Sequence, residues 1–151
     1  MDGRVVCRVM IFSYRELEHR CELIDKAIYN TAVRSAFKNT MESYKEVERL
    51  IQEKIAYINV KVIIDQALHK VGKVYEIEQH HIAGVSVEKL AEQLKSNTNT
   101  IEHRLCRKRE KLYRHILNVY SGEQLLDIIC SSHWLMNRYK RELNRSPSNG
   151  R

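Results

Sequence analysis

The chain has 151 residues and a net charge of +7, which is enough for one compact domain or two small ones and favours a polyanionic partner. Five glycines and one proline leave few obligatory helix ends, so the composition predicts an all-α protein. The absence of a run of about 18 apolar residues excludes a membrane-spanning helix, and four scattered cysteines without a recognisable signal peptide predict reduced thiols in a cytoplasmic protein.

The first 61 residues are predicted to form a helical hairpin. Ser13 and Glu16 have the spacing of a capping box, which predicts a helix over about 14–35. Asn39 and Glu42 repeat that spacing before a second, longer helix. Because each helix must bury an apolar stripe, we expect the two helices to pack against each other in antiparallel orientation.

The second helix has one predicted apolar face. Its members recur at steps of three and four residues and are Tyr44, Val47, Ile51, Ile55, Ile58 and Val62. The helix either continues into the next segment or breaks near Asn59, and residues 1–12 form either a short strand or an extension of the first helix. We expect the hairpin to be an oligomerisation or partner-binding region, with a homodimer formed through these N-terminal helices.

A helix-turn-helix is predicted in residues 62–120. It begins with a short helix that ends at Gly84, where glycine can adopt the left-handed conformation. Ser86 then caps a supporting helix, the polar residues 95–97 form a turn, and Asn97 caps the next helix. The apolar positions of that last helix are Ile101, Leu105, Leu112 and Ile116.

The C-terminal part is predicted to add one more helix. Ser121 and Gln124 have the spacing of a capping box, which predicts a single helix over 121–145. The tail 146–151 holds the only proline among serine, asparagine and glycine, so we expect it to fray.

Positive charge is concentrated on the second helix of the predicted helix-turn-helix. Residues 97–115 contain six Lys or Arg and two Glu, whereas residues 1–96 contain 15 Lys or Arg and 14 Asp or Glu. A basic, solvated helix face is the plain interpretation of such a run. The tight turn and the capping residues in front of it favour binding of nucleic acid.

Helix-turn-helix geometry predicts which side chains reach DNA. With its apolar positions turned inward, the second helix projects its N-terminal half into the major groove, where Asn can pair with adenine, Glu with cytosine and Arg with guanine. The predicted base contacts are Thr98, Asn99, Glu102, His103 and Arg107. The predicted phosphate contacts, which add affinity without sequence information, are Lys89, Thr100, Arg104, Lys108, Arg109 and Lys111.

The stretch VSVEKLAEQLKSNTNTIEHRLCRKREKL, residues 85–112, resembles DNA-binding region four of bacterial sigma factors, especially the extracytoplasmic-function type. The matching positions are Leu90, Ala91, Leu94, Asn99, Thr100, Ile101, Arg104, Leu105 and the run from Arg107 to Leu112. In that family, base contacts come from the start and middle of the recognition helix. The resemblance therefore implies that Thr98, Asn99, Glu102 and His103 read bases here.

Two positions depart from the family pattern. Lys95 stands where the family usually has Gly, and Ser96 stands where it has an apolar residue that fills the turn. We expect these changes to loosen the turn.

No segment resembles the promoter-melting region two of a sigma factor. A helical N-terminal part followed by a sigma-like helix-turn-helix is similar in architecture to the small late-gene transcriptional regulators of Gram-positive phages and prophages, the ArpU and RinA type. This resemblance implies a transcriptional regulator of phage or mobile-element origin, with RNA polymerase as a second partner.

Other classes of function have less support in the residues. No Ser, His and Asp set, paired carboxylates or phosphate-binding glycine loop can be assembled, so the sequence predicts no enzyme and no cofactor. His103 with Cys106, and His80 with His81, lack the spacing of a zinc site, so no metal is expected. The alternative from another class is an adaptor that binds RNA polymerase or a regulator through the same helices without reading DNA.

Overall fold

The structure, a computed structural model, describes residues 2–34 and 40–145. Throughout these two ranges the secondary structure is helical and contains no strand, so the all-α prediction is confirmed. The helices are α1 Gly3–Arg34, α2 Thr40–Val71, α3 Tyr75–Ile77 with a π-helical turn Glu78–Ile82, α4 Val87–Gln93, α5 Thr98–Val119, α6 Gly122–Ile129 and α7 His133–Arg145. The predicted hairpin link, the cap at Asn39 and the frayed tail lie outside the described residues.

Of the two alternatives for the first residues, the extension of the first helix is confirmed, because α1 begins at Gly3. The helix start predicted from the capping box at Ser13 is wrong. Ser13 is buried within the helix, and the helix starts instead behind Asp2, whose Oδ1 accepts the backbone N–H of Arg4 at 2.9 Å. Tertiary packing overrides the local signal, because the first turns of α1 contact α5, α6 and α7. The buried residues of these turns are Val5, Val6, Cys7, Val9, Met10 and Ile11.

Helix α2 runs without a break past Asn59 and across the predicted boundary at 61/62. It packs antiparallel to α1, as the cross-helix bonds show: Tyr14 donates its hydroxyl to Asp65, and Lys54 donates to Asp25 at 2.6 Å.

The predicted apolar face of α2 is not the face that it buries. The helix carries two apolar stripes, and the buried one consists of Leu50, Ala56, Tyr57, Val60, Ile63, Ile64, Ala67 and Leu68. The predicted stripe is largely exposed, with Ile51, Ile55, Ile58 and Val62 each keeping 42–45 % of their surface accessible. Periodicity reveals both stripes but cannot choose between them, because the choice depends on what packs against the helix.

A buried polar cluster joins the hairpin to the C-terminal helices. The Tyr57 hydroxyl donates to Glu53 at 2.6 Å and accepts from the Ser132 hydroxyl at 3.0 Å. Ser132 Oγ also accepts the backbone N–H of Leu135 at 3.1 Å, which caps α7. The predicted single terminal helix is therefore wrong, because the chain turns at Ser132 and divides it into α6 and α7.

The capping box predicted at the start of α6 is confirmed. The Gln124 backbone N–H donates to Ser121 Oγ at 3.1 Å, and the Ser121 N–H donates to Gln124 Oε1 at 2.8 Å. Gly84 likewise adopts the left-handed conformation predicted for it, with φ +77°. Both features depend on only a few neighbouring residues, so the local sequence was sufficient to predict them.

Candidate nucleic-acid interface

Helices α4 and α5, the two arms of the predicted helix-turn-helix, are joined by a short turn and contact each other. The caps predicted for both are present: Ser86 Oγ accepts the Lys89 backbone N–H at 3.2 Å, and Asn97 Oδ1 accepts the Thr100 N–H at 2.8 Å. Asn97 also accepts the hydroxyl of Thr100 at 2.9 Å. The arms are thus separate helices with a defined start to each.

The turn between the arms is a hydrogen-bonded Schellman motif. Lys95 adopts the left-handed conformation at φ +52°. The Ser96 N–H donates to the Ala91 carbonyl at 2.9 Å and the Lys95 N–H donates to the Glu92 carbonyl at 3.3 Å. The expectation of a loose turn is therefore wrong. Lys95 adopts the left-handed conformation that glycine would adopt, and the carbonyls of Ala91 and Glu92 at the end of α4 both accept hydrogen bonds.

Replacing Lys95 by glycine is expected to stabilise the protein by up to about 1 kcal/mol, because a residue with a Cβ pays for the left-handed conformation and glycine does not. Urea denaturation of the two chains measures this difference. Lys89→Gly is the matched control and should lower stability by about 1 kcal/mol, because Lys89 lies inside α4. A lower midpoint for Lys95→Gly would show that the turn is not strained.

All the predicted base-contact residues lie on the outer surface of α5. Thr98, Asn99, Glu102, His103 and Arg107 are exposed, while Ile101, Leu105 and Leu112 on the opposite side are at most 1 % accessible. The N-terminal end of α5 is therefore exposed to solvent, and neither α1 nor α2 covers it. Cys106 is exposed as well, and it lies about one helical turn after His103.

Four of the cations predicted on α5 surround one shallow cleft. Arg104, Arg107, Lys108 and Lys111 line it together with Glu76, and its volume is about 420 Å³. Arg104 Nη1 lies 3.9 Å from Glu76 Oε1. We call these four residues the basic row of α5.

Two of the predicted phosphate contacts, Lys89 and Thr100, are not part of the basic row. Lys89 is exposed on α4. The hydroxyl of Thr100 donates to Asn97 Oδ1 and so contributes to the N-terminal cap of α5.

Arg109 differs from the other predicted phosphate contacts because it points into the protein. Its Nη1 donates to His81 Nε2 at 3.1 Å, and its guanidinium lies 5.3 Å from the centre of the Phe12 ring. Burial lowers the pKa of Arg109. Arg8 lies 4.5 Å from the same ring, so Phe12 is contacted by two arginines, and Arg109 ties α5 to α1.

His81 accepts the bond from Arg109 as a neutral imidazole. Burial, followed by the nearby positive charges of Arg109, His80, Arg8 and Arg15, lowers its pKa to about 3. Nothing in the local sequence pattern indicated this contact, because Phe12 and Arg109 are far from His81 along the chain.

A second arginine cluster, between α1 and α7, was missed at the sequence level. Arg8, Arg138 and Arg141 line a cleft of about 330 Å³ there. Two of these arginines form ion pairs between the helices, Arg8 with Glu142 at 3.1 Å and Arg138 with Glu16 at 2.7 Å. This cluster therefore fastens α7 onto α1.

Within residues 2–34 and 40–145, no set of three or more His, Cys, Asp or Glu side chains is arranged to hold a metal ion. In the same ranges, no helix combines the length and the apolar character that crossing a bilayer requires. Comparisons of the chain with protein-family models, with curated proteins and with solved structures found no match.

Proposed function

We propose that the chain is a sequence-specific, duplex-DNA-binding transcriptional regulator of the kind that a resemblance to sigma region four implies. The observation that carries the proposal is the bare N-terminal end of α5 beside the turn. Thr98, Asn99 and His103 there are exposed together, and a helix end that projects in this way fits the major groove.

The basic row of α5 supplies the electrostatic part of the proposal. Arg104, Arg107, Lys108 and Lys111 lie along one side of α5, next to the surface that would face the bases. A phosphate backbone running past this cleft would meet Arg104, Lys108 and Lys111, which carry no sequence information but fix the register of the helix in the groove. Arg107 lies at the border of the two surfaces and is also a predicted base contact. Base reading and phosphate binding would thus use adjacent surfaces of one helix.

The same resemblance leads us to propose RNA polymerase as a second partner. We also propose a homodimer through the hairpin, because two copies would contact a longer DNA site than one. One helix-turn-helix contacts only a short site, so a second copy or polymerase adds the specificity that a single chain lacks. This arrangement fits a regulator of phage or mobile-element origin.

Fluorescence anisotropy with a labelled random-sequence duplex tests DNA binding directly. We expect binding at low salt that weakens by orders of magnitude between about 50 and 200 mM salt, since released counterions dominate non-specific affinity. Selection of bound fragments from a genomic library then tests sequence reading. Absence of binding at low salt, or enrichment of no sequence, would contradict the proposal.

The adaptor remains the second candidate function because one observation favours it. The exposed apolar residues of α2 offer a surface for protein contact that DNA does not use. An adaptor should bind RNA polymerase in a pull-down, and it should show no salt-sensitive binding to any duplex.

A further inference from the structure

Helix α2 presents an apolar stripe to solvent along most of its length. We define the outer stripe of α2 as Tyr44, Ile51, Ile55, Ile58 and Val62. Tyr44 keeps 65 % of its surface accessible and the other four keep 42–45 %. From Tyr44 to Val62 the stripe is about 27 Å long at 1.5 Å per residue, which is the length of an ordinary helix-to-helix interface.

The spacing of the stripe is that of a helix that pairs with another helix. The four aliphatic members follow one another at steps of four, three and four residues, the repeat of a coiled-coil seam. Along one edge lie the uncharged amides Gln52, Asn59 and Gln66. Along the other edge, the charge of Lys54 is paired with Asp25 at 2.6 Å. Between Ile51 and Val62 the seam itself holds no charged side chain.

The two ends of the stripe are complementary to each other. At one end Tyr44 projects into solvent. At the other end lies a cleft of about 470 Å³ lined by Asp65, Gln66, His69, Lys70, His115 and Val119, whose surface is mainly apolar. Counted from a centre between Ile55 and Ile58, Tyr44 and His69 are equally far along the helix, in opposite directions.

We propose that two copies of the chain pair through the outer stripe of α2 in antiparallel orientation, with Tyr44 of each copy entering the cleft beside His69 and Val119 of the other. A twofold axis between Ile55 and Ile58 makes every contact occur twice, as a closed dimer requires. Ile51 of one copy then meets Val62 of the other. Glu48 and Asp65 continue the three- and four-residue steps of the seam, so Glu48 of each copy lies opposite Asp65 of the other. This like-charge pair occurs twice and weakens the dimer at low salt, where it is least screened.

This inference names the surface of the homodimer proposed above, and its test does not depend on DNA. Sedimentation equilibrium of the full chain under reducing conditions should give twice the 17.9 kDa mass of one chain. Ile55→Glu together with Ile58→Glu should raise the dimer dissociation constant by about 100-fold or more, because two charges would lie at the centre of the interface. Both positions are already part-exposed in one copy, and circular dichroism checks that the variant stays helical.

Tyr44→Ala tests the antiparallel register. It should weaken the dimer by about tenfold, because removing the aromatic ring leaves the cleft of the other copy empty. Leu143→Glu, on α7, is the matched control and should leave the mass unchanged; Leu143 is exposed to a similar degree. A wild-type chain that stays monomeric at about 100 µM, a double variant that stays dimeric, or a Tyr44→Ala chain with full dimer affinity would each overturn the proposal. Loss of dimer with retained DNA binding would leave the proposed function standing.

Discussion

Lys108→Ala combined with Lys111→Ala is expected to weaken duplex binding by about tenfold at low salt and to reduce the slope of log affinity against log salt by about 2. Each lysine would neutralise one phosphate and release its counterions. Both belong to the basic row of α5, and neither is predicted to touch a base. The loss should therefore be of similar size for every duplex sequence.

Anisotropy titrations at several salt concentrations measure both quantities. Lys26→Ala combined with Lys140→Ala is the matched control, because it removes the same charge from exposed positions on α1 and α7. If the control variant loses as much affinity and slope as the α5 variant, the binding depends on net charge and not on the basic row. An unchanged slope in the α5 variant would contradict the phosphate contacts.

His81→Gln is expected to remove a large part of the acid sensitivity of the fold. In the folded chain the pKa of His81 is lowered to about 3 from an ordinary value of 6.5. The unfolded chain therefore binds a proton below about pH 6.5 that the folded chain does not, and stability falls as the pH drops from 6.5 toward 3. Between pH 7 and pH 5 this single group should cost the wild type about 2 kcal/mol.

Urea denaturation at pH 7 and pH 5 checks this expectation. The glutamine amide oxygen can accept the hydrogen bond of Arg109 without taking up a proton, so the variant should lose less stability on acidification. His133→Gln replaces an exposed imidazole in the same way and serves as the matched control. Equal losses in the wild type and in His81→Gln would show that His81 is not held neutral in the fold.

Features that depend on neighbouring residues were predictable from the sequence. The caps at Ser86, Asn97 and Ser121 need only a side-chain oxygen three residues before a free backbone N–H, and the outward surface of α5 follows from its inward one. The all-α fold followed from the scarcity of helix breakers.

Features that depend on distant residues were not predictable in this way. Ser13 has a capping spacing, but burial of the residues before it extends α1 to Gly3. The periodicity of α2 could not tell its buried stripe from its outer one. Arg109 was grouped with the other cations of α5, whereas Phe12 and His81, remote in sequence, draw it inward.

The central claim is that the outer surface of α5 lies against DNA, and the reactivity of Cys106 toward a bulky maleimide tests it most directly. Cys106 and Cys130 are both exposed, on α5 and after α6 respectively, so one chain carries probe and control. With duplex at 100 times its dissociation constant only about 1 % of the chain is free. We predict that labelling of Cys106 then slows by up to about 100-fold while labelling of Cys130 continues; equal labelling of Cys106 with and without bound duplex would contradict the claim.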